Sequence, residues 1–320
     1  MSSVVVAGSF NVDHVWRCEA LPAPGATIAG RYSTGPGGKG FNQAVATRRA
    51  GADTTFVCAL GEDAGGTLAR QLAAADGIVL AAEASGEPTG TAGIYVDGRG
   101  RNSIVIGPGA NASLSMEFIT ANTALLGGAK VLLAQLESPV ETIEAALGIA
   151  REAGVLTMLN PAPANAPSSI SLLKLADVLT PNETEFAALL GRHVGERVEA
   201  DDVAALDGAS LHALCRKLSA STVVVTLGAV GVFVSHAEEQ LRGDAQPYYR
   251  IGAESVSAID TTGAGDAFNG ALATALARAP AEPFSVHVRY ANRFAALSTE
   301  HPGAAAAMPR HDEVAARFGA

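Results

Sequence analysis

Residues 258–277 read "AIDTTGAGDAFNGALATALA". Gly263, Ala264 and Gly265 leave the backbone bare just before a carboxylate, Asp266, and an apolar-periodic stretch follows. Phe268, Leu272 and Leu276 fall at i, i+4 and i+8, so the spacing predicts a helix starting near Ala264 with one buried stripe. The first-turn N–H groups and the positive end of the helix dipole then point out of a sheet edge, and the small residues let an anion approach them. An acid in the first turn is also a routine stabilising feature of helices. A capping acid needs no bare backbone in front of it, whereas a phosphate cradle does. A cradle beside a carboxylate suits phosphoryl transfer, with Asp266 taking the proton of an attacking hydroxyl while backbone dipoles hold the charge of the moving group.

Working outward, short β-branched runs alternate with helical patterns. "VVVAGS" (4–9), "TTFVCALG" (54–61), "AKVLLAQL" (129–136), "VLTMLN" (155–160), "DVLTPN" (177–182), "STVVVTLG" (221–228), "GVFVSH" (231–236) and "SVSAID" (255–260) read as strands. Helices are expected over 39–50, 64–75, 115–126, 139–153, 168–176, 183–191, 201–219, from 264, and over 284–298. Nearly all-apolar strands separated by helices predict an α/β fold, a doubly wound and mostly parallel sheet covered on both faces. Residues 14–36 and 91–106 break this rhythm with alternating polarity and an Asp97-Gly98 turn. They are expected to form a small protruding sheet, a lid or interface, inserted in one domain spanning 1–320.

The chain carries a formal charge of −10, and only 4 of its 22 basic residues are lysines. No basic run offers a nucleic-acid footprint, so nucleic acid and anionic membranes are poor partners. The 3 cysteines are widely spaced and read as free thiols. No stretch approaches the roughly 20 apolar residues of a membrane span, and a cytoplasmic location is expected.

A second glycine-rich stretch, "GPGGKGFNQA" (35–44), contains Gly35, Gly37 and Gly40 in the Gly-x-Gly-x-x-Gly spacing of a dinucleotide loop. The preceding "TIAGRYST" is polar and carries Arg31, unlike the buried strand such a loop follows, so an NAD-dependent oxidoreductase is the weaker reading. A P-loop is excluded, because position 33 is serine. Asn11 and Asp13 follow the first strand and point the same way, a pair suited to vicinal hydroxyls; Lys39 and Asn42 converge from a helix start, and Glu137, Asn182 and Glu185 end later strands. The histidines show no zinc spacing.

With these residues in hand, the chain resembles the PfkB (ribokinase-like) carbohydrate kinase family. The match runs through "GSFNVDHV", "GGKGFNQA", "PGANASLS", "LAQLESPVE", "LNPAPA", "TPNETE", "VVVTLGAVGV" and "DTTGAGDAFNGAL". The resemblance implies ATP-dependent phosphorylation of a sugar's primary hydroxyl, D-ribose to D-ribose 5-phosphate before a sister reaction on 2-deoxyribose, fructose or a nucleoside. It implies Asp266 as base and Gly263, Ala264 and Gly265 as anion hole. Asn11, Asp13, Gly38, Lys39, Asn42 and Glu137 are implied to hold the sugar. Asn182 and Glu185 would serve Mg²⁺ and phosphate placement, while Thr226, Gly228 and Asn292 would surround the nucleotide. A monovalent cation, K⁺, is implied at Asp260, Thr262, Ser298, His301, Gly303 and Ala307, mostly through carbonyls. Ala307 stands where the family usually has serine and His301 where arginine is common, while Phe41 replaces a small residue beside the sugar loop. A homodimer through the lid is also implied.

Overall fold

The computed structural model describes residues 3–219 and 221–319. Thirteen strands form among the described residues: β1 (Val4–Ala7), β2 (Asn11–Arg17), β3 (Arg31–Gly37), β4 (Thr54–Gly61), β5 (Val79–Ser85), β6 (Thr91–Val96), β7 (Asn102–Gly107), β8 (Val131–Ala134), β9 (Leu156–Leu159), β10 (Val178–Leu179), β11 (Thr222–Thr226), β12 (Val232–Ser235) and β13 (Tyr248–Ile251). Nine of them make the main sheet, in the order β13-β12-β11-β10-β9-β8-β1-β4-β5. The seven strands from β11 to β5 run parallel, and β12 and β13 add an antiparallel edge.

Continuous apolar strands are required because both faces are covered. Along β1, Val4 and Val6 enter one core with helices Lys39–Arg49, Ala264–Arg278 and Phe284–Ser298, while Val5 and Ala7 enter the other with Val140–Glu152, Glu183–His193 and Gly208–Leu218. The strand's two-residue period distributes its side chains between them. Each fully buried valine contributes about 1.5–3 kcal/mol. From β1 the chain winds outward to β4 and β5 on one side and later returns to β8 on the other. This reversal is a topological switch point, where open α/β sheets bind ligands at the carboxyl ends of their strands.

The remaining strands form a second sheet, ordered β3-β2-β6-β7. Side chains along β2 alternate, placing Asn11, Asp13 and Val15 on one face and His14 and Trp16 on the other. Trp16 stacks on Tyr95 with ring centroids 5.2 Å apart and lies 5.2 Å from Tyr32. His14 Nδ1 and the Tyr32 hydroxyl are 2.8 Å apart. All of β7 is exposed, including Ile104, Val105 and Ile106.

Several expected elements differ. "SVSAID" (255–260) is not a strand: Ser257 N–H binds the Glu300 carboxylate, and the N–H groups of Ile259 and Asp260 bind the Thr299 carbonyl, so the segment is tied to a helix end rather than a ladder. The helix expected over 201–219 breaks into Ala200–Val203 and Gly208–Leu218, because Asp207 caps the second through Ser210 N–H. That over 115–126 divides at Asn122 into Met116–Ala121 and Thr123–Gly127. Strands β5 and β13 are additions that no continuous apolar run announces. The three cysteines are unpaired, and no helix among the described residues is long and apolar enough to cross a membrane.

Candidate active site

The helix Ala264–Arg278 begins as its spacing predicts, with Phe268 and Leu272 buried. Gly263 is its N-cap at φ 76°, a left-handed conformation disfavoured for residues with a Cβ. An added Cβ there would also lie 2.8 Å from the Ala304 Cβ. Ala264 N–H turns back to the Thr261 carbonyl and Ala267 N–H to that of Gly263. The N–H groups of Gly265 and Asp266 between them belong to the first turn, which no helical carbonyl satisfies. A Cβ on Gly265 would meet nothing within 4 Å. Gly265 is small for no steric reason within the protein; it leaves room for something else.

Asp266 is buried, and both its oxygens are held by adjacent amides of helix Lys39–Arg49: Asn42 Nδ2 donates to Oδ2 at 2.9 Å and Gln43 Nε2 to Oδ1 at 2.9 Å. This reach depends on Gly270, one turn further along, where a Cβ would come within 2.5 Å of the Ala46 Cβ and 2.7 Å of the Gln43 carbonyl oxygen. Burial raises the Asp266 pKa above the ordinary carboxylate range, against the opposing pull of Lys39 and the two amides. Burial would depress the Lys39 amine, but Asp266, Glu137 and Glu185 outweigh it and hold the amine above its usual value. Lys39 makes no ion pair within 4.0 Å among the described residues. Its charge is surrounded by acids yet uncommitted to any of them.

The 35–40 stretch continues from β3, an edge strand of the small sheet paired antiparallel with β2, and not from a central parallel strand, so it does not form a dinucleotide cradle. Gly38, at φ 87°, packs against the Ser9 carbonyl and Asn11 N–H. Glu137 secures this junction: its Oε2 accepts from Ser9 Oγ at 2.6 Å and from Lys39 N–H at 2.9 Å. Half its carboxylate is therefore an anchor for the loop. Asn11 is buried and its Oδ1 accepts from Asn111 Nδ2 at 2.8 Å. Asn111, within "PGANASLS", also bonds both backbone groups of Phe10; nothing in its local sequence marks that role. Asn42 Oδ1 is buried without a partner among the described residues, an acceptor suited to a ligand hydroxyl. Phe41 lies in the core, edge-on to Phe10 with centroids 5.1 Å apart, and does not line the cavity over Asp266.

Burial, reinforced by Glu137, raises Asp13 to a pKa of about 7. A carboxyl that binds its proton more tightly when folded destabilises the native state as pH rises through the window between its unfolded value and about 7. Asp13→Asn is therefore expected to raise Tm more at pH 8 than at pH 5. Thermal melts at the two pH values check the sign, and an equal gain at both would contradict it.

The cavity over Asp266 is lined by Lys39, Asn182, Glu185, Thr226 and the 263–266 turn, joined by Asn160, Thr180, Thr261 and Asn269. Thr180 Oγ1 donates to Asn269 Oδ1, and Asn269 Nδ2 donates to the Gly265 carbonyl at 2.8 Å, so this pair steadies the bare turn. Asn182 and Glu185 form a capping box for helix Glu183–His193. That box occupies Asn182 Oδ1 and Glu185 Oε2; burial raises the Glu185 pKa, and its other oxygen makes no hydrogen bond among the described residues.

Two positions expected near the nucleotide are not in this lining. Gly228 begins a short 3₁₀ turn at φ 51°, and Asn292 gives its Nδ2 to the Gly252 carbonyl at 2.8 Å. Nor is the Asp260 side chain an open ligand: its Oδ1 accepts from Thr262 N–H and Oγ1, and its Oδ2 from Gly303 N–H at 2.9 Å. Those donors outweigh burial and lower its pKa. Ser298 turns its hydroxyl to the Ala295 carbonyl, His301 is exposed and Ala307 buried. Asp260 thus ties the 260–263 turn to the loop before Ala307, and Arg49 braces that loop by donating to the carbonyls of Ala305, Ala306 and Met308. No cluster of three or more His, Cys, Asp or Glu that could hold a metal occurs among the described residues.

Residues 1–311 match the model of the pfkB family carbohydrate kinases. The ribokinase of Haemophilus influenzae is 39% identical over 314 residues, covering 97% of this chain and 96% of its own. Among solved structures, the ribokinase of Giardia lamblia superposes with a TM-score of 0.86 at 29% identity, covering 99% of this chain and 98% of its own. The Arabidopsis thaliana ribokinase complexed with ribose and ATP does so with a TM-score of 0.81 at 30% identity, covering 98% and 97%. With a match over nearly its whole length, the chain belongs to the pfkB family of carbohydrate kinases.

Proposed function

We propose that this protein transfers the terminal phosphoryl group of ATP to the primary hydroxyl of D-ribose, giving D-ribose 5-phosphate. The observation that carries the reading is the placement of Asp266, held at both oxygens, beside the open donors of Gly265 and Asp266 and below the Lys39 charge. The Asp266 carboxylate takes the hydroxyl proton as the oxygen attacks. The Gly263–Gly265 turn and the helix dipole receive the negative charge of the transferring group, a preorganised stabilisation that needs no rearrangement during the reaction. Asn11, Asp13, Gly38, Lys39, Asn42 and the remaining Glu137 oxygen hold the sugar, with the orphaned Asn42 Oδ1 accepting from one of its hydroxyls.

Glu185 and Asn182 are the residues that would keep Mg²⁺ near the phosphates: a buried acid with one oxygen uncommitted fits a cation that retains waters and phosphate ligands. The ion supplies charge neutralisation. With both oxygens of the Asp260 carboxylate engaged by Thr262 and Gly303, K⁺ would be held by main-chain carbonyl oxygens at 260, 262, 298, 301, 303 and 307, hard ligands of the kind such a cation takes. The nucleotide lies along Thr226 and the Gly228 turn, with Asn292 acting from behind through Gly252. The small sheet, inserted in one kinase domain spanning 1–320, closes over the sugar to exclude water. Its exposed apolar strand β7 takes a second copy of the chain.

ADP release measured over pentoses, hexoses and nucleosides, each in sodium and in potassium, tests the assignment. D-ribose is expected to give the highest kcat/KM. A preference for 2-deoxyribose, fructose or a nucleoside would keep the phosphoryl-transfer residues and reassign the acceptor, and ADP release with none of them would overturn the proposal.

A further inference from the structure

Behind Asp266 lies a layer of buried amides that the phosphoryl-transfer motifs leave unused. Gln43 donates from Nε2 to Asp266 Oδ1 at 2.9 Å and to Asn160 Oδ1 at 3.1 Å. Its Oε1 accepts from Gln135 Nε2 at 2.6 Å. Asn160 is itself oriented, because its Nδ2 donates to the Thr180 carbonyl at 2.9 Å. Gln43 and Gln135 are both fully buried, the first on helix Lys39–Arg49 and the second just beyond β8.

An amide donates on one side and accepts on the other, so the direction of this chain is determined. Gln135 presents NH₂ to Gln43, which must then turn its carbonyl toward Gln135 and its NH₂ toward Asp266 and Asn160. The inverted Gln43 amide would set an oxygen against a carboxylate and against the Asn160 oxygen. The arrangement leaves Gln135 Oε1 buried without a partner among the described residues. It also requires Gly8, whose Cβ would lie 2.1 Å from that oxygen. An apolar side chain at 135 would remove the unpaired Gln135 oxygen but would leave the buried Gln43 Oε1 without its donor, so the glutamine at 135 is tied to the orientation of Gln43.

The geometry points to Gln43 as a positioning residue for Asp266, with Gln135 setting which side of the Gln43 amide the carboxylate meets. This rests on Asp266 acting as the base. Asn42 restrains one oxygen and Gln43 the other, which aims the carboxylate, and both donors favour its charged form. The other charged groups facing Asp266 are Lys39 on the same helix as Gln43, Glu137 after β8 and Glu185 on helix Glu183–His193; Asp13 of β2 faces Glu137 in turn. Replacing Gln43 leaves all of them in place.

The experiment follows kcat and kcat/KM against pH for Gln43→Leu and Gln135→Met, each alone and combined with Asp266→Asn. For Gln43→Leu the acidic limb of kcat/KM is expected to move up by about one pH unit, because losing one donor weakens the charged carboxylate about tenfold. At pH 7, kcat should fall about 10- to 100-fold while the sugar KM stays within about threefold. Gln135→Met should lose about three- to tenfold in the same direction, and it carries the comparison if Gln43→Leu does not fold. In the Asp266→Asn background neither change should alter the residual rate by more than about threefold, since residues acting through one group are not additive. An unmoved limb in a folded Gln43 variant, or equal losses in both backgrounds, overturns the positioning role while leaving Asp266 as the base. Wild-type turnover in Asp266→Asn alone overturns the base assignment and this inference with it.

Discussion

Asp266→Asn is expected to fold as the parent does and to lose about 10²–10⁴-fold in kcat, the range for removing a general base. The substitution is isosteric. It sets one new NH₂ against the amide of Asn42 or Gln43, a local mismatch worth about 1–3 kcal/mol. It also removes a charge that burial opposes, the reason the Asp266 pKa is raised, so the two effects offset one another. Turnover should therefore collapse with little change in Tm. Single-turnover phosphorylation beside a thermal melt separates the two readouts. Retained turnover would reduce Asp266 to a helix-start acid.

Gly265→Ala is expected to separate stability from activity in the opposite direction. The residue lies in the first turn of helix Ala264–Arg278, outside the left-handed region, and its Cβ would touch no protein atom within 4 Å. Alanine there should stabilise the helix by about 0.5–1 kcal/mol. The same methyl projects into the space beside the open N–H groups. It should lower kcat by about 10²-fold, as removal of a donor from a preorganised anion site does. A higher Tm with lost activity is the expected pair. A higher Tm with full activity would mean that the phosphoryl group does not approach that turn.

The parallel sheet was legible because each of its central strands buries both faces and must therefore be largely apolar. β4 reads as such a run, while β5, with Glu83 on a sheet edge, does not. "SVSAID" shows the limit from the other side: its composition is strand-like, but whether an extended segment joins a ladder depends on partners distant in sequence, here the end of helix Phe284–Ser298. Within the site, Asp266 and its glycines stood out because bare backbone before an acid is locally unusual. Gln43, Asn111, Asn160 and Asn269 did not, since a buried amide gains its meaning only from the group it faces. Asp260 is expected from the sequence in a cation loop, whereas its carboxylate is a staple spent on two N–H groups and a hydroxyl, which no local pattern announces.

Trp16 is the chain's one tryptophan and occupies the strand that also carries Asp13, on its opposite face. Its ring is packed against Tyr95 and Tyr32 within the small sheet and belongs to neither main core. Nearly all the intrinsic emission excited at long ultraviolet wavelengths thus originates from the element that would move over the sugar. The proposed closure thus has an optical gauge in the unlabelled protein, undiluted by indole signal from anywhere else.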